Sequence, residues 1–64
     1  MSNAINTLLA NIDSAIAVQE RIIDTYEGMI AQHNNGEGAD HLFTYLDKAQ
    51  AEKARLEAEW NGLV

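Results

Sequence analysis

The chain has 64 residues, of which 47% are hydrophobic, and ten acidic against four basic residues give it a net charge of −6. This length allows one small domain, and the absence of Cys excludes disulfides and thiolate zinc sites. Four basic residues are too few to neutralise many phosphates, and an anionic bilayer repels an acidic surface, so we expect neither nucleic acid nor a membrane as a partner.

The first predicted element is a long helix over about residues 3–35. Apolar side chains recur there at steps of three and four, the spacing of one face of an α-helix. Ser2 or Asn3 can cap the free amide groups at its start, and Asn35 with Gly36 supplies the left-handed residue that commonly closes a helix. The sequence therefore predicts one helix across half of the chain.

A dense cluster of turn-forming residues follows, and it predicts a turn at 36–39. Helical spacing then resumes, which predicts a second helix over about 40–62 with Asp40 as its N-cap. No stretch alternates like a strand, so the predicted fold class is all-α. Because the turn is short, the helices are expected to run antiparallel, as a single helical-hairpin domain over residues 1–64.

The hairpin is expected to associate with a second copy of itself. With the turn centred near residue 37, Tyr26 is predicted to face Ala49, and the start of the longer first helix then extends past the end of the second. The apolar arc of that helix spans about 180°, more than one neighbouring helix can cover. A homodimer is the first expectation, as a four-helix bundle or coiled-coil-like pair, and a tetramer the second. The predicted interface consists of Ile5, Leu8, Leu9, Ile12, Ile16, Gln19, Ile22, Ile23, Trp60 and Leu63.

Metal-binding residue types occur around the predicted turn. His33 and His41 flank it, and Glu37 and Asp40 lie between them, so these four are the candidate metal ligands. Their spacing matches no metal-binding motif, and contact of His33 with the carbonyl groups at the helix end accounts for its position equally well. We therefore expect no bound metal and no cofactor.

Catalytic groups are not apparent elsewhere in the sequence. Ser14 and Thr25 have no His at a neighbouring helical position that could activate them, and the Gly-rich turn lacks the Lys of a phosphate-binding loop. The sequence predicts no catalytic residue, and we expect a protein that is not an enzyme.

Two surfaces remain as candidates for binding. An acidic flank of the first helix favours a basic surface on a partner protein. A cationic and aromatic sector of the second helix is the alternative, since it could receive a small anionic ligand such as a nucleotide. The acidic flank comprises Asp13, Glu20, Asp24 and Glu27, and the sector comprises His41, Tyr45, Lys48 and Arg55.

These observations favour a small acidic interaction module that regulates, inhibits or adapts a larger protein whose identity the sequence does not state. Its size, charge and lack of Cys are typical of accessory and host-takeover proteins of bacteriophages, an analogy of style only. We expect it in the cytoplasm, or in the host cytoplasm for a phage protein. The alternatives are an oligomer that sequesters a nucleotide or metal, and a structural assembly factor.

Overall fold

The computed structural model describes residues 3–33 and 39–64, which form two helices, α1 (Asn3–Ala31) and α2 (Asp40–Leu63). No strand occurs in these two ranges, and the helices pack against each other, so the predicted all-α class is confirmed. The molecule is a rod with extents of 53, 15 and 12 Å. Neither helix combines the length and the apolar character that a membrane crossing requires, within the described residues. The predictions for Ser2, Asn35, Gly36, Glu37 and most of the turn lie outside those residues.

Helix α1 ends at Ala31, earlier than the predicted end near residue 35. The backbone N–H of Gln32 is shared between the carbonyl oxygens of Gly28 at 3.3 Å and Met29 at 3.2 Å. Sharing of this kind marks the tightening of a last helical turn towards 3₁₀ geometry. The predicted end was placed by Asn35 and Gly36 as the closing residues, which is why the sequence overestimated the length of the helix.

Helix α2 begins one residue earlier than its predicted cap implies. Ala39 is the N-cap residue, and its carbonyl oxygen accepts hydrogen bonds from the N–H groups of Leu42 at 2.9 Å and Phe43 at 3.0 Å. Asp40 is the first helical residue instead, so its predicted role as the cap is wrong. Its carboxylate still lies in the first turn, where a negative charge interacts favourably with the helix dipole.

Two contacts between the helices establish that they run antiparallel. The ammonium of Lys53 lies 3.2 Å from a carboxylate oxygen of Glu20, and the ring of Tyr26 stacks on that of Tyr45 at 5.7 Å between centroids. Tyr45 lies one turn before Ala49, the residue predicted to face Tyr26. Tyr45 lies beside the apolar stripe of α2 that contains Ala49 and not on it, so the ring of Tyr26 reaches past the stripe to its neighbouring side. The ion pair of Glu20 with Lys53 lies close to the register expected for a turn centred near residue 37.

The core is small and belongs to α2 and its N-cap residue. Among the residues that the structure describes, two alanines and three leucines are buried, whereas no residue of α1 is. A folded monomer of this mass is expected to expose about 4,100 Å², and the chain exposes 4614 Å². The single hairpin therefore leaves more surface in water than a compact protein of its size. The buried residues are Ala39, Leu42, Leu46, Ala49 and Leu56.

Candidate interaction surface

Helix α1 presents a first seam of large side chains to α2. The residues of this seam follow one another at alternating steps of four and three, the heptad spacing that keeps one helix against another. From Leu9 onwards each of them is half-buried, whereas Ile5 is 44% exposed. The first seam consists of Ile5, Leu9, Ile12, Ile16, Gln19, Ile23, Tyr26 and Ile30.

A second seam runs along α1, rotated from the first by roughly 100° at the helical repeat of 3.6 residues. It has the same alternation of steps, and α2 covers it only in part: Ala15 and Ile22 are half-buried and the other members of the seam are exposed. Leu8 is 48% exposed, Val18 40% and Met29 41%, and a groove follows the helix surface beside Val18 and Met29. The second seam consists of Leu8, Asn11, Ala15, Val18, Ile22, Thr25 and Met29.

Helix α2 has one apolar seam, and it faces α1. A second row of residues at heptad spacing lies on the side of α2 that adjoins the second seam of α1. The residues of this row are mainly charged, and they include Tyr45. The stacking of Tyr26 on Tyr45 identifies this as the adjoining side. The apolar seam consists of Leu42, Leu46, Ala49, Lys53, Leu56, Trp60 and Leu63, and the polar side of His41, Tyr45, Lys48, Glu52, Arg55, Glu59 and Gly62.

The predicted interface residues all keep part of their surface in water in the single hairpin. Ile5 and Leu8 are exposed, as the predicted overhang of α1 requires, and the other predicted residues are half-buried. The sequence-based set omitted Val18 and Met29, although their heptad spacing from Leu8 and Ile22 could have identified them. Its association with a second copy stays a prediction.

Residues of the acidic flank occupy one edge of the rod. Glu20 forms the ion pair with Lys53, whose side chain is 30% exposed. Asp13 lines an open cleft with Glu57 and Trp60, which brings an acid of α2 next to the flank. The indole N–H of Trp60 is shielded from solvent and has no hydrogen-bond acceptor in the described residues. Asp24 and Glu27 are exposed further along α1.

The cationic and aromatic sector is only partly assembled. The imidazole of His41 lies edge-on to the ring of Tyr45 at 6.4 Å, and the ammonium of Lys48 lies 5.9 Å from the centre of the same ring. Arg55 does not join them, because its guanidinium is hydrogen-bonded to Glu52 and Glu59. These bonds lower the pKa of the Glu52 carboxyl and raise the pKa of Arg55, since each favours the charged form.

The candidate metal ligands are not brought together by the described part of the chain. Across residues 3–33 and 39–64, no three side chains of the metal-binding types converge, although His33, Asp40 and His41 all belong to those ranges. Glu37 lies outside them. Nothing in the observed geometry therefore gathers His33, Asp40 and His41 into a site.

No family model matches the sequence, and neither the curated proteins nor the solved structures include a significant match to the chain.

Proposed function

We propose that this chain is a non-enzymatic protein–protein interaction module that works as a homo-oligomer, a homodimer in the first instance. One observation carries the proposal: α1 is 29 residues long and rich in Ile and Leu, yet none of its residues is buried in the single hairpin. The free energy that a two-helix chain gains from such partial burial is small compared with the conformational entropy that it loses on folding. A second copy supplies the missing contacts, as in a four-helix bundle.

The acidic flank is the surface that we propose for a larger partner protein. Asp13, Asp24 and Glu27 lie on α1 away from its second seam, so they stay in solvent when that seam is covered. Glu57 adds a further acid beside Asp13. Carboxylates arranged along one edge attract a basic surface over several ångströms and orient it. In this role the module regulates or adapts the larger protein, as small accessory proteins of bacteriophages do.

Self-association is tested by sedimentation equilibrium of the untagged chain between about 1 and 200 µM, together with urea unfolding over the same range. Because folding and association are coupled in such a small core, the midpoint of unfolding should rise with protein concentration. A chain that sediments as a monomer throughout, and unfolds cooperatively at a midpoint independent of concentration, would contradict the proposal.

The acidic flank is tested by neutralising three of its residues while leaving the ion pair of Glu20 intact. The variant carries Asp13→Asn, Asp24→Asn and Glu27→Gln, and we expect it to keep its oligomeric state and lose capture of the partner from extracts of the source cell. The matched control changes net charge equally on α2, with Asp47→Asn, Glu52→Gln and Glu59→Gln. Equal capture by both variants would remove the flank from the proposal.

Sequestration of a small anion is a second candidate, favoured by the contacts of His41 and Lys48 with the ring of Tyr45. A stacked aromatic ring beside a cation is a suitable platform for a nucleotide base and its phosphates. Native mass spectrometry with ATP tests it directly. Retention of ATP by the wild-type chain, and its loss in the variant Lys48→Gln, would support this candidate over the interaction module.

A further inference from the structure

We infer that the second seam of α1 is the surface that joins two copies, and that it pairs with the same seam of the second copy in antiparallel orientation, with the dyad axis close to Val18. This inference rests on the proposed self-association and specifies the contact through which it occurs. The first seam is already engaged by α2, so its half-buried residues contribute less new area than the exposed ones of the second seam.

The occupant of the second seam follows from what the rest of the hairpin offers. The apolar seam of α2 faces α1, and the adjoining side of α2 carries charged groups such as Lys48, Glu52 and Arg55. If this charged side of α2 packed onto Val18 and Met29, its charges would lose their water and no apolar contacts would compensate for that cost. The surface that matches the second seam is therefore the second seam of another copy, which makes the contact isologous.

Its pattern of side chains shows that the seam is suited to antiparallel self-pairing. Around Val18 the polar residues Asn11 and Thr25 lie seven positions to either side, so antiparallel pairing places an amide opposite a hydroxyl. Small Ala15 is then opposite large Ile22, which is the complementarity that close packing requires. A seam that reads nearly the same in both directions is self-complementary about a two-fold axis.

Charge favours the same orientation. Three of the four acids of α1, Glu20, Asp24 and Glu27, lie in its C-terminal half together with the cation Arg21, whereas Asp13 alone lies in the N-terminal half, so the halves carry net charges of −2 and −1. Parallel pairing would set the acidic halves side by side, where their charges repel. Antiparallel pairing places each acidic half beside the less charged half of the other copy and opposes the two helix dipoles.

The surface available is of the size that a stable contact needs. The single hairpin exposes 4614 Å², roughly 500 Å² more than a compact monomer of its mass. A standard interface between two proteins removes about 800 Å² from each partner. Burying a seam that extends from Leu8 to Met29, about 30 Å at 1.5 Å per residue, brings the exposed area of each copy to that of an ordinary folded protein or below it.

A charge introduced into the seam tests the assignment. Val18→Glu places two carboxylates at the dyad, where they repel and lose water, so we expect the dissociation constant of the dimer to rise by about 100-fold or more. Ala17→Glu is the matched control, because it adds the same charge at an exposed neighbouring position outside both seams and should leave the constant within about threefold of the wild type. Circular dichroism records whether each variant is folded.

Disulfide formation tests the orientation in a chain that has no native Cys. In antiparallel pairing, two copies of Asn11→Cys have their residues about 20 Å apart along the axis, beyond the roughly 7 Å that a disulfide spans. Neither Asn11→Cys nor Thr25→Cys should then cross-link alone, whereas an equimolar mixture of the two should cross-link rapidly. In parallel pairing, each variant would cross-link alone.

The outcomes separate this inference from the proposal on which it rests. A wild-type chain that is monomeric overturns both. A wild-type dimer that survives Val18→Glu unchanged overturns the assignment of the second seam and leaves self-association standing. Rapid cross-linking of Asn11→Cys alone overturns the antiparallel orientation. The inference is supported in full if Val18→Glu dissociates the dimer, Ala17→Glu does not, and cross-links form only in the mixture of the two Cys variants. The cross-linking result remains valid even if Val18→Glu fails to fold.

Discussion

The ring of Tyr26 stacks on the ring of Tyr45, with 5.7 Å between the centroids and 19° between the planes. The contact lies towards the connected end of the hairpin and is the point where α1 and α2 meet through two aromatic side chains. Lys48 and His41 surround Tyr45 on α2. Three side chains therefore lie against the ring of Tyr45, a residue that is 48% exposed.

Removing this ring should destabilise the hairpin. Tyr45→Ala loses the aromatic pairing, worth about 0.5–1.5 kcal/mol beyond area burial, together with the apolar area of a half-exposed ring, so we expect a loss of about 1–3 kcal/mol in the free energy of unfolding. Tyr45→Phe keeps the stacked ring and should cost less than about 0.5 kcal/mol. Urea unfolding at fixed protein concentration measures both. Equal losses in the two variants would show that the hydroxyl, and not the stacking, matters.

Lys53 should be replaceable by an apolar residue without loss of stability. Its side chain lies in the apolar seam of α2 and is 30% exposed, and its ion pair with Glu20 is partly in solvent. Such a pair contributes about 0–1 kcal/mol, while Lys53→Met keeps the length of the side chain and avoids desolvating a charge. We expect the free energy of unfolding to stay equal or to rise by up to about 1 kcal/mol.

The control for Lys53 is Glu20→Gln, which removes the charge from the other partner. Its cost should not exceed about 1 kcal/mol and should shrink in about 1 M NaCl, where salt screens exposed charges. If Lys53→Met lost several kcal/mol in the free energy of unfolding, the ion pair would be needed for the packing of the two helices and would not be a minor surface contact.

The Glu52 carboxyl should titrate below its ordinary pKa of 4.5, because hydrogen bonds from Arg55 stabilise its charged form. A depressed pKa in the folded state contributes stability above the ordinary value, and this contribution is lost as the pH falls from about 4.5 through the lower, folded-state pKa. Carbon-detected NMR titration of the carboxyl measures the shift. Arg55→Gln should return it to the ordinary value, whereas the distant change Arg21→Gln should not.

Gly28 should be a site of simple stabilisation. It lies within α1, and a β-carbon there would meet nothing within 4 Å. Ala in the interior of a helix is favoured over Gly by about 1 kcal/mol, so Gly28→Ala should raise the free energy of unfolding by that amount. The position is outside both seams, so the oligomeric state should not change. Gly62→Ala, close to the end of α2 and equally free of neighbours, should have a smaller effect because helix ends fray.

Much of the fold could be predicted from the spacing of apolar residues. The bounds of α2 and the start of α1 agree with it to within a residue. The end of α1 and the cap of α2 could not be predicted as well, because they depend on which backbone carbonyl oxygens receive the last and first N–H groups. Ala39 illustrates this, since a residue without a polar side chain occupies a position that favours one.

The relation between the helices was harder to predict than the helices themselves. Tyr45 lies beside the stripe that contains Ala49 and Lys53, and the spacing of that stripe does not indicate which ring outside it Tyr26 meets. The exposure of Phe43 was not anticipated either, although it lies off the apolar seam of α2 by its position in the sequence. For the interaction surface, the sequence indicated how wide the apolar arc of α1 is. The division of that arc into two seams follows only from the position of α2 against the first seam.

A rod of 53 by 15 by 12 Å experiences more drag in solution than a sphere of equal mass. Gel filtration calibrated with globular standards would therefore assign a lone hairpin an apparent mass well above 7.1 kDa, in the range where a compact pair would elute. For this shape, elution volume alone does not distinguish one chain from two. Light scattering measures molar mass independently of shape, so it is the appropriate method for counting chains.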